Sequence, residues 1–261
     1  MSTQRKLTYT FQKIDTRDYT HKVLNSTTVI TKKGISTTKA VKDLPASFIT
    51  PFLSGVLDQG NLGACVANAA AFILQTYTKG KVNPSRLMLY DLSRIQENTP
   101  LSQDSGIFIR TACSALKKYG RCSEIICPYD INQSAYLPPV NALNKLNLFK
   151  DFTYYTVNQD VLSLKHVLLT NPIIFGIMVY DSLLSAETAS TGIIPLPDIT
   201  KETLQGGHCL SMVGYDDANA WFICINSWGT AWGNKGRCYL PYAYVIAPNL
   251  TSDFFYFTVS V

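Results

Sequence analysis

The sequence predicts an α+β fold, because apolar residues recur at helical spacing in the first half of the chain and in short strand-like runs in the second half. The chain has 261 residues, of which 46% are hydrophobic, so it can bury a large core in one domain or in two joined lobes. Only 16% of the residues are charged, which excludes a disordered, highly charged chain.

Three helices are predicted in the first half of the chain. The first begins at Cys65, continues through an alanine-rich apolar stretch and ends before Gly80. The second covers 84–96, and the third covers 108–119, with a glycine directly after it as a C-terminal stop. A shorter helix is predicted at 160–170, before the strands begin.

The second half contains runs that are rich in β-branched and aromatic residues and are bounded by Gly, Pro, Asn or Asp. We predict strands within 172–180, 208–217, 220–226, 236–241 and 254–259. Helices followed by strands indicate an α+β protein with two lobes.

Composition narrows the possible partners. The net charge is +5, but the Lys and Arg residues are scattered and no nucleic-acid-reading motif is present, so we expect no nucleic-acid partner. The longest apolar run, 171–180, is shorter than the roughly 20 residues that a bilayer span needs. The polar N-terminus lacks the apolar core of a signal peptide, so we expect neither secretion by that route nor a membrane partner.

The seven cysteines are odd in number, and none belongs to a CxxC pair. Cys122 and Cys127 have no histidine nearby, so we expect no structural zinc site and no cofactor. This cysteine usage favours a reducing compartment such as the cytoplasm, or a virion, although the sequence does not specify the location.

Three short motifs carry residues suited to nucleophilic chemistry. In the first, a glycine-rich loop runs from Asp58 to Cys65, which opens the first predicted helix. The positive end of the helix dipole and the unpaired N–H groups favour a thiolate there. Taken alone, a buried structural cysteine fits this position equally well.

The second and third motifs supply a histidine and an asparagine. GGHCLSMVGY at 206–215 places His208 at the start of an apolar strand, where a core histidine with a backbone partner is the alternative interpretation. INSWGTAWG at 225–233 places Asn226 at the end of another strand, beside aromatics that can shield an Asn–His hydrogen bond. A turn with core tryptophans is the alternative for this third motif.

Together, and in this order, the three motifs resemble those of the papain-like, cathepsin-like family of cysteine peptidases. His208 lies 143 positions after Cys65 (208 − 65), within the family's range of about 130–150. Gln59 stands six positions before Cys65, as in the family, and NSWG is matched in full at 226–229. The pattern is closer to bacterial and large-virus members than to lysosomal enzymes, and the resemblance covers 44–261.

The resemblance implies a two-lobe papain-like fold for a peptidase domain at 45–261. It implies a helical N-terminal lobe at about 45–150 and an antiparallel, β-barrel-like C-terminal lobe at about 151–261, with the active-site cleft between them.

The resemblance also assigns catalytic roles. Cys65 attacks as a thiolate, His208 as imidazolium pairs with it and later protonates the leaving amine, and Asn226 orients the histidine ring. Gln59 and the backbone N–H of Cys65 form the oxyanion hole. The other implied substrate contacts are Ser105 and Gly106 along the substrate backbone, Trp228 over the Asn–His bond, Trp232 on the leaving-group side, and Phe108, Ile177 and Cys209 in the main side-chain pocket.

Three positions depart from the usual family pattern without removing a reacting group. Leu62 replaces a cysteine that usually forms a disulfide, Val66 replaces an aromatic residue, and Cys209 replaces a small alanine.

We therefore expect a monomeric cysteine endopeptidase that forms a thioester acyl-enzyme, with protein or peptide substrates and protein inhibitors as partners. Two alternatives remain open. One is an acyl transferase or deamidase that uses the same groups, and the other is a catalytically silent papain-like binding protein.

Residues 1–44 form an N-terminal arm without helical spacing, where family zymogens commonly carry a long helical prodomain. Within it, 30–43 is predicted to be an exposed connector. We hypothesise that the arm packs on the body near the cleft as a short propeptide or gate, with a purely structural strap as the alternative.

Overall fold

A computed structural model describes residues 5–13, 15, 16, 18, 20–24, 27–29 and 44–260, and the predicted connector at 30–43 lies outside them. The described residues include seven α-helices: α1 (Cys65–Tyr77), α2 (Arg86–Gln96), α3 (Ile109–Tyr119), α4 (Val140–Leu143), α5 (Val161–Leu168), α6 (Ala186–Thr191) and α7 (Tyr242–Ile246). Two short 3-10 helices cover Ile131–Gln133 and Asp181–Leu184.

The strands of the described residues form one sheet. They are β1 (Thr20–Leu24), β2 (Thr27–Val29), β3 (Ser47–Ile49), β4 (Thr153–Val157), β5 (Ile173–Tyr180), β6 (Leu204–Asp216), β7 (Trp221–Ile225), β8 (Arg237–Pro241) and β9 (Thr251–Thr258). Their order is β2-β1-β4-β9-β5-β6-β7-β8, and β3 pairs with β6. These pairings are antiparallel, except that β1 pairs with β4 in parallel.

The predicted helices are confirmed as α1, α2, α3 and α5. Helix α1 begins at Cys65 as predicted, and the other three begin one or two residues later than predicted. Helix α2 begins at Arg86 because the Ser85 hydroxyl accepts a hydrogen bond from the N–H of Met88 at 3.0 Å and so caps the helix. Helix α3 ends before Gly120, whose φ of +75° suits glycine and stops the helix.

The predicted strands are confirmed as β5 to β9. Strand β6 begins at Leu204, four residues earlier than predicted, because the segment before His208 pairs with the end of β5. Strands β3 and β4 were not predicted. Strand β3 has too few residues for alternation to be visible, whereas β4 consists only of β-branched and aromatic residues, a strand signal that sequence reasoning missed.

The two largest hydrophobic cores of the described residues lie on opposite faces of the sheet, and a smaller cluster around Met88 and Cys122 lies within the helical lobe. One core lies between α1, α2, α3 and the sheet, and the other lies within the β-rich lobe. Helix α1 packs directly on β6, where the Ser211 hydroxyl donates to the carbonyl of Ala69 at 3.3 Å. The start of α1 and the start of β6 therefore lie at the junction of the helical and β-rich lobes.

Candidate active site

Cys65 is the first residue of α1 and is 1% exposed. The backbone N–H groups of Val66 and Cys209 lie close enough to its sulfur to oppose the rise in the pKa of the thiol. Cys209 follows His208 in β6, so these contacts place the thiol beside the histidine segment. The first turn of α1 contains no acidic residue and its N-cap makes no side-chain bond, so its N–H groups remain available to a negative charge.

His208 lies in β6, Asn226 directly follows the neighbouring strand β7, and both are buried. The Nε2 atom of His208 lies 2.7 Å from the Oδ1 atom of Asn226. Because Oδ1 also accepts the N–H of Ser227 at 2.7 Å, it is the acceptor and Nε2 carries the proton. Nδ1 has no hydrogen-bond partner among the described residues, so it is free to exchange a proton.

Trp228 covers the His–Asn pair. Its ring centroid lies 4.8 Å from that of His208, and it is 5% exposed. Trp232 packs edge-on against Trp228 with ring centroids 5.1 Å apart. The two indoles exclude water from the His–Asn hydrogen bond, which strengthens it.

Gln59 is completely buried, and its amide is held at both ends. Its Nε2 donates to the carbonyl of Leu62 at 3.0 Å, and its Oε1 accepts the hydroxyl of Ser227 at 2.7 Å. These bonds fix the orientation of the amide and leave the second N–H of Nε2 without an assigned acceptor. Ser227 therefore connects Gln59 with Asn226.

Burial lowers the pKa of His208 to about 4, with a further contribution from the positive charge of Arg5, although the bond to Asn226 acts in the opposite direction. Burial raises the pKa of the Cys65 thiol to about 12, although backbone N–H groups oppose this shift. Burial thus shifts both pKa values in the direction that disfavours the charged forms, thiolate and imidazolium, for as long as water is excluded from the two groups.

The N-terminal segment at 5–13 lies between the loop before Cys65 and the strand that carries His208. The Thr8 hydroxyl donates to the carbonyl of Gly63 at 3.1 Å, and the N–H of Tyr9 donates to the carbonyl of Gly207 at 3.1 Å. Gly63 lies two residues before Cys65, and Gly207 directly precedes His208. The arm thus bridges this loop and strand β6.

Charged contacts hold the start of this segment. Arg5 forms an ion pair with Asp58 and also donates to the carbonyls of Gly60, at 3.1 Å, and Trp228, at 3.3 Å. Lys6 forms an ion pair with Asp104 at 2.7 Å. These contacts attach the arm directly to the rim of the cleft.

The structure brings only some of the predicted substrate-contact residues to the arm. Gly106 faces Thr8, since an added Cβ there would lie 2.7 Å from the Thr8 carbonyl oxygen, and Ser105 is its neighbour. Cys209 lies beside Tyr9.

Ile177 is placed away from the arm, whereas Phe108 lies at the start of α3. Phe108 is the N-cap of α3, and its backbone N–H donates to Glu97 at 2.9 Å. Ile177 is fully buried in the core of the β-rich lobe. Its neighbour Gly176 faces the arm instead, because successive strand residues point to opposite faces.

Sequence reasoning missed Arg5 and Tyr9 in the arm itself, Asp104 on its helical side, and Gly176 and Asp253 on its β-rich side. One available signal was the alternation of apolar Leu7, Tyr9 and Phe11 with polar residues, which is typical of a chain packed on one face. The carboxylates gave no such signal, because their partners are distant in sequence.

Other features bear on chemistry and location. Within the described ranges, no group of three or more His, Cys, Asp or Glu side chains could hold a metal ion. All seven cysteines lie in the described part of the chain, and none forms a disulfide. None of the described helices is both long and apolar enough to cross a membrane.

Comparisons with known proteins agree with the fold and the motifs. The family model for papain family cysteine proteases matches residues 49–246. An uncharacterised peptidase C1-like protein of Acanthamoeba polyphaga mimivirus is 34% identical over 226 residues, which cover 81% of this chain and 72% of the viral protein.

Two solved structures are similar over most of their lengths. Xylellain, a cysteine protease from Xylella fastidiosa, is 28% identical with a TM-score of 0.83, covering 100% of this chain and 99% of its own. A Carica candamarcensis cysteine protease, solved with E-64, shares the fold at 16% identity with a TM-score of 0.60, covering 83% of this chain and 98% of its own. The resemblance to bacterial and large-virus members is confirmed, and this chain belongs to the papain family of cysteine proteases.

Proposed function

We propose that the chain is a cysteine endopeptidase that uses Cys65, His208 and Asn226. The observation that carries this proposal is the 2.7 Å contact between Nε2 of His208 and Oδ1 of Asn226, which leaves Nδ1 unpaired beside the strand that contacts the thiol. A histidine oriented in this way can accept the proton of a neighbouring thiol.

The proposed reaction proceeds through a thioester. Nδ1 of His208 takes the thiol proton, and the sulfur of Cys65 attacks the carbonyl carbon of the scissile bond. His208 then gives its proton to the leaving nitrogen as the C–N bond breaks. A water molecule, deprotonated by His208, attacks the thioester carbonyl, releases the carboxylic acid and restores the thiol.

Gln59 and the start of α1 provide the proposed oxyanion hole. One N–H of the Gln59 amide is bonded to the carbonyl of Leu62, and the second can reach a developing negative charge. The backbone N–H of Cys65 is the other donor. Because the Ser227 hydroxyl holds the Gln59 carbonyl end, the donor is oriented before the substrate arrives.

We further propose that the N-terminal arm is a gate that holds the enzyme inactive. With the arm in place, Cys65 is 1% exposed and His208 is 0% exposed. No substrate carbonyl can reach a thiol covered in this way. The same burial disfavours the charged thiolate and imidazolium, so the arm opposes both access and activation.

The direction of the arm explains how it can occupy the cleft without being cut. Arg5 donates to the carbonyl of Trp228, which packs on Trp232, the residue that the family resemblance assigns to the leaving-group side. Thr8 lies at Gly106, which the resemblance places along the substrate backbone on the acyl side. The arm therefore runs opposite to the direction implied for a substrate. A reversed peptide does not present its carbonyl to the nucleophile in the productive orientation.

The test uses the full chain with Arg5→Ala and Tyr9→Ala, which weaken the arm, and an internally quenched peptide in water enriched in heavy oxygen. We expect cleavage in which one heavy oxygen enters each new carboxylate, and no cleavage by the same chain with Cys65→Ala. Transfer of the acyl group to an added amine without oxygen incorporation would favour an acyl transferase. Absence of any product would contradict the enzyme proposal.

A further inference from the structure

The side chain of Tyr9 fills a pocket beside the catalytic pair. Tyr9 is 2% exposed, its backbone N–H is bonded to Gly207, and its hydroxyl donates to the carboxylate of Asp253. A Cβ added at Gly176 would overlap the Tyr9 ring, so the absence of a side chain there makes the space for an aromatic ring. Cys209 forms another part of the surroundings. The pocket is therefore narrow and apolar, with one charged group at its end.

A distortion of β9 places Asp253 at this end. Between the pairs Ile174↔Phe255 and Gly176↔Ser252, β9 has one more residue than β5, which is a β-bulge. Asp253 lies in the bulge with a φ of +57°, a left-handed conformation that is uncommon outside glycine. The bulge directs the carboxylate to the Tyr9 hydroxyl rather than along the regular strand.

The arm supplies most of the hydrogen bonds to this carboxylate. Its Oδ2 atom accepts the Tyr9 hydroxyl, the backbone N–H of Gln12 at 3.0 Å and the hydroxyl of Ser252 at 2.6 Å. When the arm leaves the cleft, the first two donors leave with it and only Ser252 remains. An acceptor that loses its donors in a narrow pocket favours a ligand that replaces them.

We propose that Asp253 is a specificity-determining residue, and that the pocket selects substrate side chains with a hydrogen-bond donor at the end of a long stem, namely tyrosine and lysine, over phenylalanine and leucine. The proposal rests on the proposed peptidase function, because the ligand is the substrate of the same cleft. Tyr9 is the internal occupant that shows the size and polarity the pocket accepts. Substrate and arm therefore compete for one pocket.

The binding test uses the full chain with Cys65→Ala to prevent turnover and with Arg5→Ala and Tyr9→Ala to release the arm. The probe is the fluorescently labelled peptide RKLTYTFQK, which has the sequence of residues 5–13, together with versions that carry Phe, Lys or Leu at the tyrosine position. We expect the Phe and Leu versions to bind about tenfold more weakly than the Tyr and Lys versions, because a hydrogen bond to a charged group is lost.

Two substitutions at Asp253 separate the effect of its carboxylate on binding from the effect of its backbone conformation. Asp253→Gly removes the carboxylate and suits the positive φ, and its matched control is Ala220→Gly, at φ +54° in the turn between β6 and β7. Asp253→Asn keeps the shape and removes only the charge. We expect Asp253→Gly to reduce the Tyr-to-Phe ratio of affinities to below about twofold, Asp253→Asn to abolish the preference for Lys over Leu, and Ala220→Gly to change neither.

Equal affinities for the Tyr and Phe peptides, unchanged ratios in both Asp253 variants, or no binding of any peptide would overturn the proposal. The outcome is independent of catalysis, because the chain carries Cys65→Ala. Preferential binding of the Tyr and Lys peptides, with no cleavage by the chain that retains Cys65, would contradict the peptidase function alone. Cleavage without any Tyr or Lys preference would contradict the role of Asp253 alone.

Discussion

The Oδ1 atom of Asn226 accepts hydrogen bonds from both Nε2 of His208 and the N–H of Ser227, each at 2.7 Å. The backbone bond fixes the amide oxygen, and the amide oxygen fixes the tautomer and the orientation of the imidazole. The free nitrogen of His208 is consequently Nδ1, the atom that the proposed mechanism requires.

Replacing Asn226 tests this orienting role. We expect Asn226→Ala, in the Arg5→Ala and Tyr9→Ala background, to lower kcat/KM by about 100-fold, because the imidazole loses its fixed tautomer and direction. The matched control is Asn219→Ala, at an exposed asparagine in the turn after β6, which should retain activity. An unchanged kcat/KM in a folded Asn226→Ala protein would contradict the proposed role.

The proposed oxyanion hole predicts that two substitutions lower kcat by different amounts. Gln59→Ala removes a donor and should lower kcat by about 100- to 1,000-fold. Ser227→Ala leaves the donor but removes the 2.7 Å bond that orients it, so its loss should be smaller, about tenfold. Steady-state kinetics in the arm-weakened background would measure both, and a larger loss for Ser227→Ala than for Gln59→Ala would contradict this order.

The helices were predictable from local signals. The alanine-rich stretch after Cys65 and the glycine at position 120 determine where α1 begins and α3 ends, and the structure agrees with both. The contact between His208 and Asn226 was predictable because the three motifs and their spacing occur together. Strand β3 was not, since three residues carry too little alternation and its pairing with β6 depends on distant sequence.

The path of the arm could not be predicted from sequence alone. The arm is held by contacts with residues up to 244 positions away, as for Tyr9 and Asp253. Such long-range contacts leave no periodic pattern, apart from the alternation around Tyr9. The β-bulge at Asp253 is also invisible in the sequence, because it is defined by the register of β9 against β5.

The contacts of Arg5 predict how the arm is released. Arg5→Ala removes the ion pair with Asp58 and the bonds to the carbonyls of Gly60 and Trp228. A partly exposed network of this kind contributes about 1–2 kcal/mol to the free energy that holds the arm in the cleft. Without it the open state is more populated, so the rate of Cys65 alkylation should increase by roughly 5- to 30-fold. Arg237→Ala, at an exposed arginine on β8, is the control. Equal alkylation rates in Arg5→Ala and the unaltered chain would contradict a holding role for Arg5.

The pKa of His208 predicts acid sensitivity of the closed state. Burial lowers this pKa from 6.5 to about 4, so between those values the unfolded chain binds a proton that the closed protein does not. Stability should therefore be greatest above pH 6.5 and fall as the pH decreases towards 4, by up to about 1.4 kcal/mol per pH unit from this group.

Urea unfolding at several values between about pH 4.5 and about pH 7.5 would measure that dependence, because this range includes the ordinary pKa of histidine. His208→Gln cannot take up the proton, so its stability should change less with pH over this window than that of the unaltered chain. Parallel pH profiles for the two proteins would show that His208 is not responsible.

The most direct test of the central claim is alkylation with an epoxide thiol trap, followed by mass spectrometry of the full chain under reducing conditions. In the Arg5→Ala and Tyr9→Ala protein, we expect one adduct, on Cys65, although all seven cysteines are free thiols. The adduct should form much more slowly in the unaltered chain and should be absent after Cys65→Ala. No adduct on Cys65, or modification of Cys65 no faster than of the other six cysteines, would contradict the account.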